Sequence, residues 1–150
     1  LSVTLDQLLT RVEILPLAGE NDCWEGLTAD GWQPLELSAK GQERFLAHFA
    51  VLKEMWKIDG FYLIRSANNF PSDCGLASSA SSFAALTAAA ARLAESLNPG
   101  RKISLDEVAE ASRTGSGSSI RSFYRPFAIW KEDRAFKVPG LRLPLVHQVV

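Results

Sequence analysis

A glycine-containing turn that joins an apolar, strand-like run to a long Ala-rich helix constrains this chain more than any other feature. The run is Gly60–Ile64, the turn is Phe70–Ala80, and the composition predicts a helix over Ser79–Leu97. The first backbone N–H groups of a helix have no internal partner, and the helix dipole favours negative charge there. A helix start reached through glycine and carrying adjacent hydroxyls is therefore a candidate anion cradle. Ser78 and Ser79 supply those hydroxyls, within reach of a phosphate or of a metal bound to one. The common P-loop is a different pattern: it needs Gly-x-x-x-x-Gly-Lys-Ser/Thr, and no Lys stands near Gly75. Taken alone, Gly75–Ala80 has a plainer alternative, a buried helix whose serines only cap it.

A second stretch bears on that choice. In Arg113–Ser122 glycine and serine alternate over Gly115–Ser119, and an Arg stands near each end. Exposed N–H groups and hydroxyls can wrap a phosphate, and the guanidinium of Arg121 is a planar fork of donors that matches phosphate or carboxylate. A flexible linker is the alternative. Against it, the loop is short and sits between an apolar helix and a strand over Phe123–Trp130. Two anion-type loops suggest two phosphorylated ligands, or one ligand held at two points.

The remaining chain reads as one domain of α+β class. A length of 150 residues suits a single core, and 47% hydrophobic with 22% charged residues is ordinary for a globular protein. A net charge of −1 gives no electrostatic reason to expect nucleic acid or an anionic membrane as partner. Cys23 and Cys74 lack metal-ligand spacing, and His48 and His147 are distant from both, so the cysteines read as reduced thiols. With no basic-then-apolar leader and no run of ~20 apolar residues, the expected location is cytoplasmic.

Ser2–Leu5 and Arg11–Leu15 are short β-forming runs that could pair. Ser38 is a reasonable N-cap for a helix to about Trp56, with Phe45, Phe49, Leu52 and Trp56 on one face and Asp59-Gly60 closing it. Phe61–Ile64 reads as a buried strand leading into Ser66–Asn69. Trp24, Trp32 and Trp56 are simplest as core or rim packing. Ser104-Leu105-Asp106-Glu107 is a capping box, predicting a helix over Leu105–Ser112. The abrupt strand-like ends, Leu1–Leu5 and Leu141–Val150, suggest a piece of a longer protein.

The two motifs together resemble a known family. Asn68-Asn69-Phe70-Pro71 through Gly75-Leu76-Ala77-Ser78-Ser79-Ala80, then Gly115-Ser116-Gly117-Ser118 and Arg121-Ser122, resemble the diphosphomevalonate decarboxylases of the GHMP kinase superfamily. The resemblance implies a GHMP-kinase-like N-terminal domain, a mixed or antiparallel sheet backed by helices with a left-handed crossover. It implies ATP-dependent decarboxylation of mevalonate 5-diphosphate to isopentenyl diphosphate, with ATP and Mg²⁺ as cofactors. By motif, Pro71, Gly75, Leu76, Ala77, Ser78 and Ser79 would hold ATP, with Ser79 also a contact to magnesium. Ser116, Gly117, Ser118, Ser119, Ile120 and Arg121 would hold the substrate, Arg121 being the catalytic position, and Arg44 would add a further substrate contact. A homodimer is compatible with this reading.

The resemblance also marks departures. Arg125-Pro126 stands where the family usually has two glycines, and Asp73-Cys74 replaces small neutral residues in the phosphate loop. Both bear on the substrate more than on the fold. The family's catalytic Asp would lie beyond Val150 and its Lys-Tyr-Trp-Gly-Lys-type segment before Leu1, so the 150-residue species alone is expected to be inactive. The alternatives are a GHMP small-molecule kinase that phosphorylates mevalonate or its monophosphate without decarboxylation, and a non-catalytic phosphate-binding relative.

Overall fold

The computed structural model describes residues 2–5, 7–71, 78–131 and 134–137. Their elements run in the order β1 (Ser2–Val3), β2 (Thr10–Leu17), β3 (Cys23–Gly26), β4 (Gln33–Pro34), α1 (Ala39–Trp56), β5 (Phe61–Asn68), α2 (Ser78–Leu97), α3 (Leu105–Ser112), β6 (Phe127–Lys131) and β7 (Arg134–Lys137). A 3-10 turn at Ser119–Phe123 separates α3 from β6.

β5 is the central strand of a mixed sheet. β2 pairs with it antiparallel from Thr10↔Asn68 to Leu17↔Phe61, and β3 lies along it in parallel with Trp24 opposite Ile64. β4 joins antiparallel at the Asn68 end. A second sheet has the order β1-β6-β7 and is antiparallel throughout. The α+β class with a mixed sheet agrees with the sequence reading, but one pairing does not. Ser2–Leu5 and Arg11–Leu15 do not pair with each other: β1 goes to β6 and β2 to β5. A strand as short as β1 carries too little pattern to specify its partner or register, so the tertiary fold assigns them.

β5 also runs further than its apolar stretch. Ser66 and Asn68, read from sequence as part of the exit loop, are fully buried strand residues. Buried polar groups persist where they are hydrogen-bonded. Here Ser66 Oγ accepts from Trp24 Nε1 at 2.9 Å, and Asn68 Oδ1 accepts from Thr10 Oγ1 at 2.8 Å.

The core lies between this sheet and the helices. α1 contributes Phe45, Phe49, Leu52 and Trp56, β5 contributes Tyr62 and Ile64, and α2 contributes Phe83, Leu86, Ala90 and Ala94. Ser38 caps α1 by accepting from the Gly41 N–H at 3.2 Å. The helix ends at Lys57, earlier than the Asp59-Gly60 signal. Lys57 is left-handed (φ 55°), and the Ile58 N–H returns to Lys53 O at 3.0 Å. A left-handed residue with a Cβ costs about 1–2 kcal/mol, which the burial of Ile58 helps to offset. The capping box of α3 forms as expected, with Glu107 N–H donating to Ser104 Oγ and Ser104 N–H to Glu107 Oε2.

Trp56 is buried, while Trp24 and Trp32 are half-buried, consistent with core and rim packing. Cys23 is an exposed free thiol, and Cys74 lies outside the described residues. Among the described residues no helix is long and apolar enough to cross a membrane.

Candidate anion-binding cleft

The two anion-type stretches of the sequence approach one cleft of about 600 Å³. Ala80, Ala84 and Ala88 recur every fourth residue, so they form one row along α2, and that row lines the cleft. Methyl side chains there leave the space open. The opposite wall is polar and cationic: Ser118 and Arg121 from the loop and 3-10 turn, then Arg125 just before β6. Leu5, Leu8 and Leu9, from the link between β1 and β2, close a third, apolar side. Two of the described lining residues are cationic and none carries a carboxylate, so the cleft suits an anion with an apolar body.

The floor is tied to the sheet. Thr10 Oγ1 lies 2.8 Å from Asn68 Oδ1 and 2.9 Å from Ser81 Oγ, which joins β2, β5 and α2 beside the cleft. Ser78 opens α2 and Ser79 is exposed in its first turn, which contains no acidic residue. Pro71 is exposed at the end of the chain leaving β5. Gly75, Leu76 and Ala77, expected to hold ATP, lie outside the described residues, as does Asp73.

The Gly/Ser stretch is a folded element with several internal ties, not a linker. Ser119 and Ile120 are buried. Ser119 Oγ sits 2.7 Å from Ser112 Oγ and 2.6 Å from Ser116 O, and Ile120 packs with Ala109 of α3. These two expected substrate residues thus face inward, holding the turn onto α3. Ser116 and Ser118 are half-buried with hydroxyls 3.3 Å apart, Gly117 is exposed, and Arg121 is half-buried with Nε donating to Ser118 O at 3.5 Å. Tyr124 O–H closes the far end by donating to Asp106 Oδ1 at 2.8 Å, and burial with that hydrogen bond pushes its phenol up to about 12.

Arg44 is not among the residues lining the cleft. Its guanidinium lies over the Phe83 ring, 5.7 Å from the centroid, and donates to Gly115 O at 3.4 Å. It meets the loop at its start. Beside it His48 of α1 is buried and satisfied on both nitrogens by Thr87 and Thr114.

Burial pushes the His48 imidazole down to about 4 from the ordinary 6.5. The unfolded chain therefore binds a proton that the folded chain refuses between those values. Stability falls as pH is lowered from 6.5 towards 4 and levels off below, for a total of roughly 3 kcal/mol from this group. Urea unfolding at pH 7 and pH 4.5 tests this, and a His48→Gln variant should lack most of the difference. The carboxylates of half-buried Glu95 and exposed Glu107 are held below 4.5 by their backbone hydrogen bonds, so their loss belongs to a lower pH window.

With this geometry in place, comparison with known proteins decides the family. Residues 1–138 match the model of the diphosphomevalonate decarboxylase-like N-terminal domain. The chain belongs to that family. It superposes on a mevalonate diphosphate decarboxylase from Legionella pneumophila with a TM-score of 0.82 and 46% identity, covering 91% of this chain and 43% of that one. For the Enterococcus faecalis mevalonate diphosphate decarboxylase the values are 0.69 and 27%, over 91% of this chain and 41% of that one. The diphosphomevalonate decarboxylase of Saccharomyces cerevisiae is 40% identical over 80 residues, 53% of this chain and 18% of the yeast sequence. The chain thus spans less than half the length of these relatives.

Several residues of this diphosphomevalonate decarboxylase-like domain that shape the cleft were not singled out from sequence. Ser81 carried a signal, because it follows Ser78 by three residues and so shares its side of α2. Thr10, Leu5, Leu8 and Leu9 carried none, since only the sheet pairing brings them to the helix. Arg125 was noticed as a departure from the family, and the structure adds that it lines the same cleft as Arg121.

Proposed function

We propose that the protein, with this chain as most of its N-terminal domain, catalyses the ATP-dependent decarboxylation of mevalonate 5-diphosphate to isopentenyl diphosphate. Family membership supports this reading, and one structural observation carries it: Ser118 and Arg121 line a single cleft with the first turns of α2. A relative described as MDDEF has been solved in complex with MVAPP, AMPPCP and magnesium, and the E. faecalis structure concerns ATP binding mediated by mevalonate diphosphate.

The residues present fit such ligands. The α2 N-terminus is the start of a 20-residue helix with no acid in its first turn, and among the described residues the cleft beside it is lined by two guanidiniums and no carboxylate. Ser78 and Ser79, with Gly75–Ala77 before them in sequence, would hold the triphosphate, and Ser79 would also hold a magnesium ion. ATP supplies the phosphoryl group that turns the substrate's tertiary hydroxyl into a leaving group. Arg121 and Ser118 would grip the anionic substrate and fix the direction of its carboxylate. Leu5, Leu8 and Leu9 would exclude water from the carbon skeleton, which favours loss of carbon dioxide from a desolvated carboxylate. Catalysis of this kind is mainly positioning and charge neutralisation.

The test is product analysis of the full-length protein with ATP and mevalonate 5-diphosphate. Carbon dioxide with isopentenyl diphosphate supports the proposal. A stable phosphorylated product without carbon dioxide would assign a small-molecule kinase instead, and absence of turnover a phosphate-binding relative. Arg125 gives a sharper check on the substrate. Arg125→Gly is expected to raise the substrate KM roughly tenfold, the scale of one charge-assisted hydrogen bond, with ATP KM unchanged.

A further inference from the structure

The start of the Gly/Ser loop is seated on two core side chains, Phe83 and His48. Gly115 lies so close to the Phe83 and His48 rings that a Cβ there would run into Phe83 Cδ1 and come within 2.9 Å of His48 Cγ. One residue earlier, Thr114 Oγ1 is 3.1 Å from His48 Nδ1. On the other side of the ring, His48 Nε2 is 2.8 Å from Thr87 Oγ1, and the imidazole meets Phe83 edge-on at 5.3 Å between centroids. His48 therefore spans from the middle of α2 to the first residues of the loop that presents Ser118 and Arg121.

Thr87 Oγ1 donates to Phe83 O at 2.7 Å, and Thr114 Oγ1 donates to Ala111 O at 2.9 Å, which also accepts the Thr114 backbone N–H at 3.3 Å. An uncharged imidazole has one N–H and one acceptor nitrogen, and a threonine hydroxyl can serve either, so Thr114, His48, Thr87 and Phe83 O form one hydrogen-bonded chain. The charged groups near this chain are Arg44, whose guanidinium lies over Phe83, and the Arg113–Glu110 pair beside Thr114.

We propose that His48 is a positioning residue: through its Nδ1 contact with Thr114 it latches the Gly115–Arg121 loop to α2 and so sets where Arg121 stands in the cleft. The part of this claim that concerns turnover rests on the proposed decarboxylase function; the part that concerns the loop does not. His48 touches no ligand-facing residue of the cleft directly and acts through Thr114.

The experiment uses the full-length protein and three variants, with hydrogen exchange of the loop amides and steady-state kinetics on mevalonate 5-diphosphate as separate readouts. Thr114→Val keeps the shape at a partly exposed position and removes the hydroxyl, so the fold is retained. It should speed exchange over residues 115–121 and raise the substrate KM by about fivefold each, the factor one net hydrogen bond commands, with ATP KM unchanged. The two amide variants of His48 separate latching from packing. His48→Asn places an amide where Nδ1 stands, able to donate to or accept from the Thr114 hydroxyl, whereas His48→Gln reaches Thr87 and fills more volume. A latch predicts that Asn retains the lower substrate KM and the slower loop exchange. The reverse order, an unchanged loop in Thr114→Val, or equal rises in both KM values would overturn it. If the parent protein does not turn over mevalonate 5-diphosphate, the proposed function fails, and the exchange readout still decides the latch.

Discussion

Replacing Arg121 by Ala in the full-length protein is expected to lower kcat/KM for mevalonate 5-diphosphate by roughly 10²–10³-fold, the scale on which removal of one preorganised charge-stabilising donor acts. The expectation follows from position. Arg121 is half-buried on the cleft wall, and no carboxylate stands among the described residues that line the cleft. The turn that carries it is held by other residues: Ile120 packs on Ala109, Ser119 bonds Ser112 and Ser116, and Tyr124 bonds Asp106. Urea unfolding of the variant should therefore stay close to the parent. Arg121→Lys should recover only part of the loss, because an ammonium restores the charge and not the planar fork. Global unfolding of Arg121→Ala would refute the assignment of Arg121 to the ligand side, and so would full activity.

Gly115→Ala is the second large effect, and it acts through the fold. The added methyl meets Phe83 and His48, both buried and both fixed by neighbours: Phe83 against Phe45 at 5.4 Å between centroids, His48 between two threonines. Neither ring can swing away, so the loop or α2 must shift. Overpacking of this kind costs about 1–3 kcal/mol. Because the displaced segment carries Ser118 and Arg121, substrate KM should rise together with the loss of stability. Gly117→Ala is the control. Among the described residues nothing lies within 4 Å of a Cβ at Gly117, so its stability should match the parent. Equal stability of both variants would show that Gly115 is not held against the rings.

These expectations separate two kinds of legibility. Helix starts were readable because capping is local chemistry. Ser38 bonds Gly41 three residues on, and Ser104 bonds Glu107 three residues on, so each signal and its partner lie within one turn. The spacing of Phe45, Phe49, Leu52 and Trp56 likewise marked the buried face of α1. The two Gly/Ser motifs marked the family and the regions that face the cleft.

Individual roles within those motifs were less legible. Ser118 and Ser119 are adjacent in sequence and chemically alike, yet one lines the cleft and the other is buried against Ser112. A 3-10 turn rotates neighbouring side chains by about a third of a circle, so the path of the backbone assigns them opposite duties. Arg44 is similar: the family resemblance implied a substrate contact there, and the packing of α1 on α2 sets its guanidinium over Phe83 with Gly115 O accepting from it.

By itself, then, the sequence determined the helices with their caps, the α+β class, the family and the two stretches that approach one cleft. Those depend on residues a few positions apart, or on motifs that survive without their surroundings. The tertiary structure alone decided that β1 joins β6 while β2 joins β5, that the Leu5–Leu9 link walls the cleft, and that His48 reaches Thr114 across 66 positions of chain. Such contacts are set by which surfaces bury together once the sheet and helices pack, and no local pattern encodes that choice.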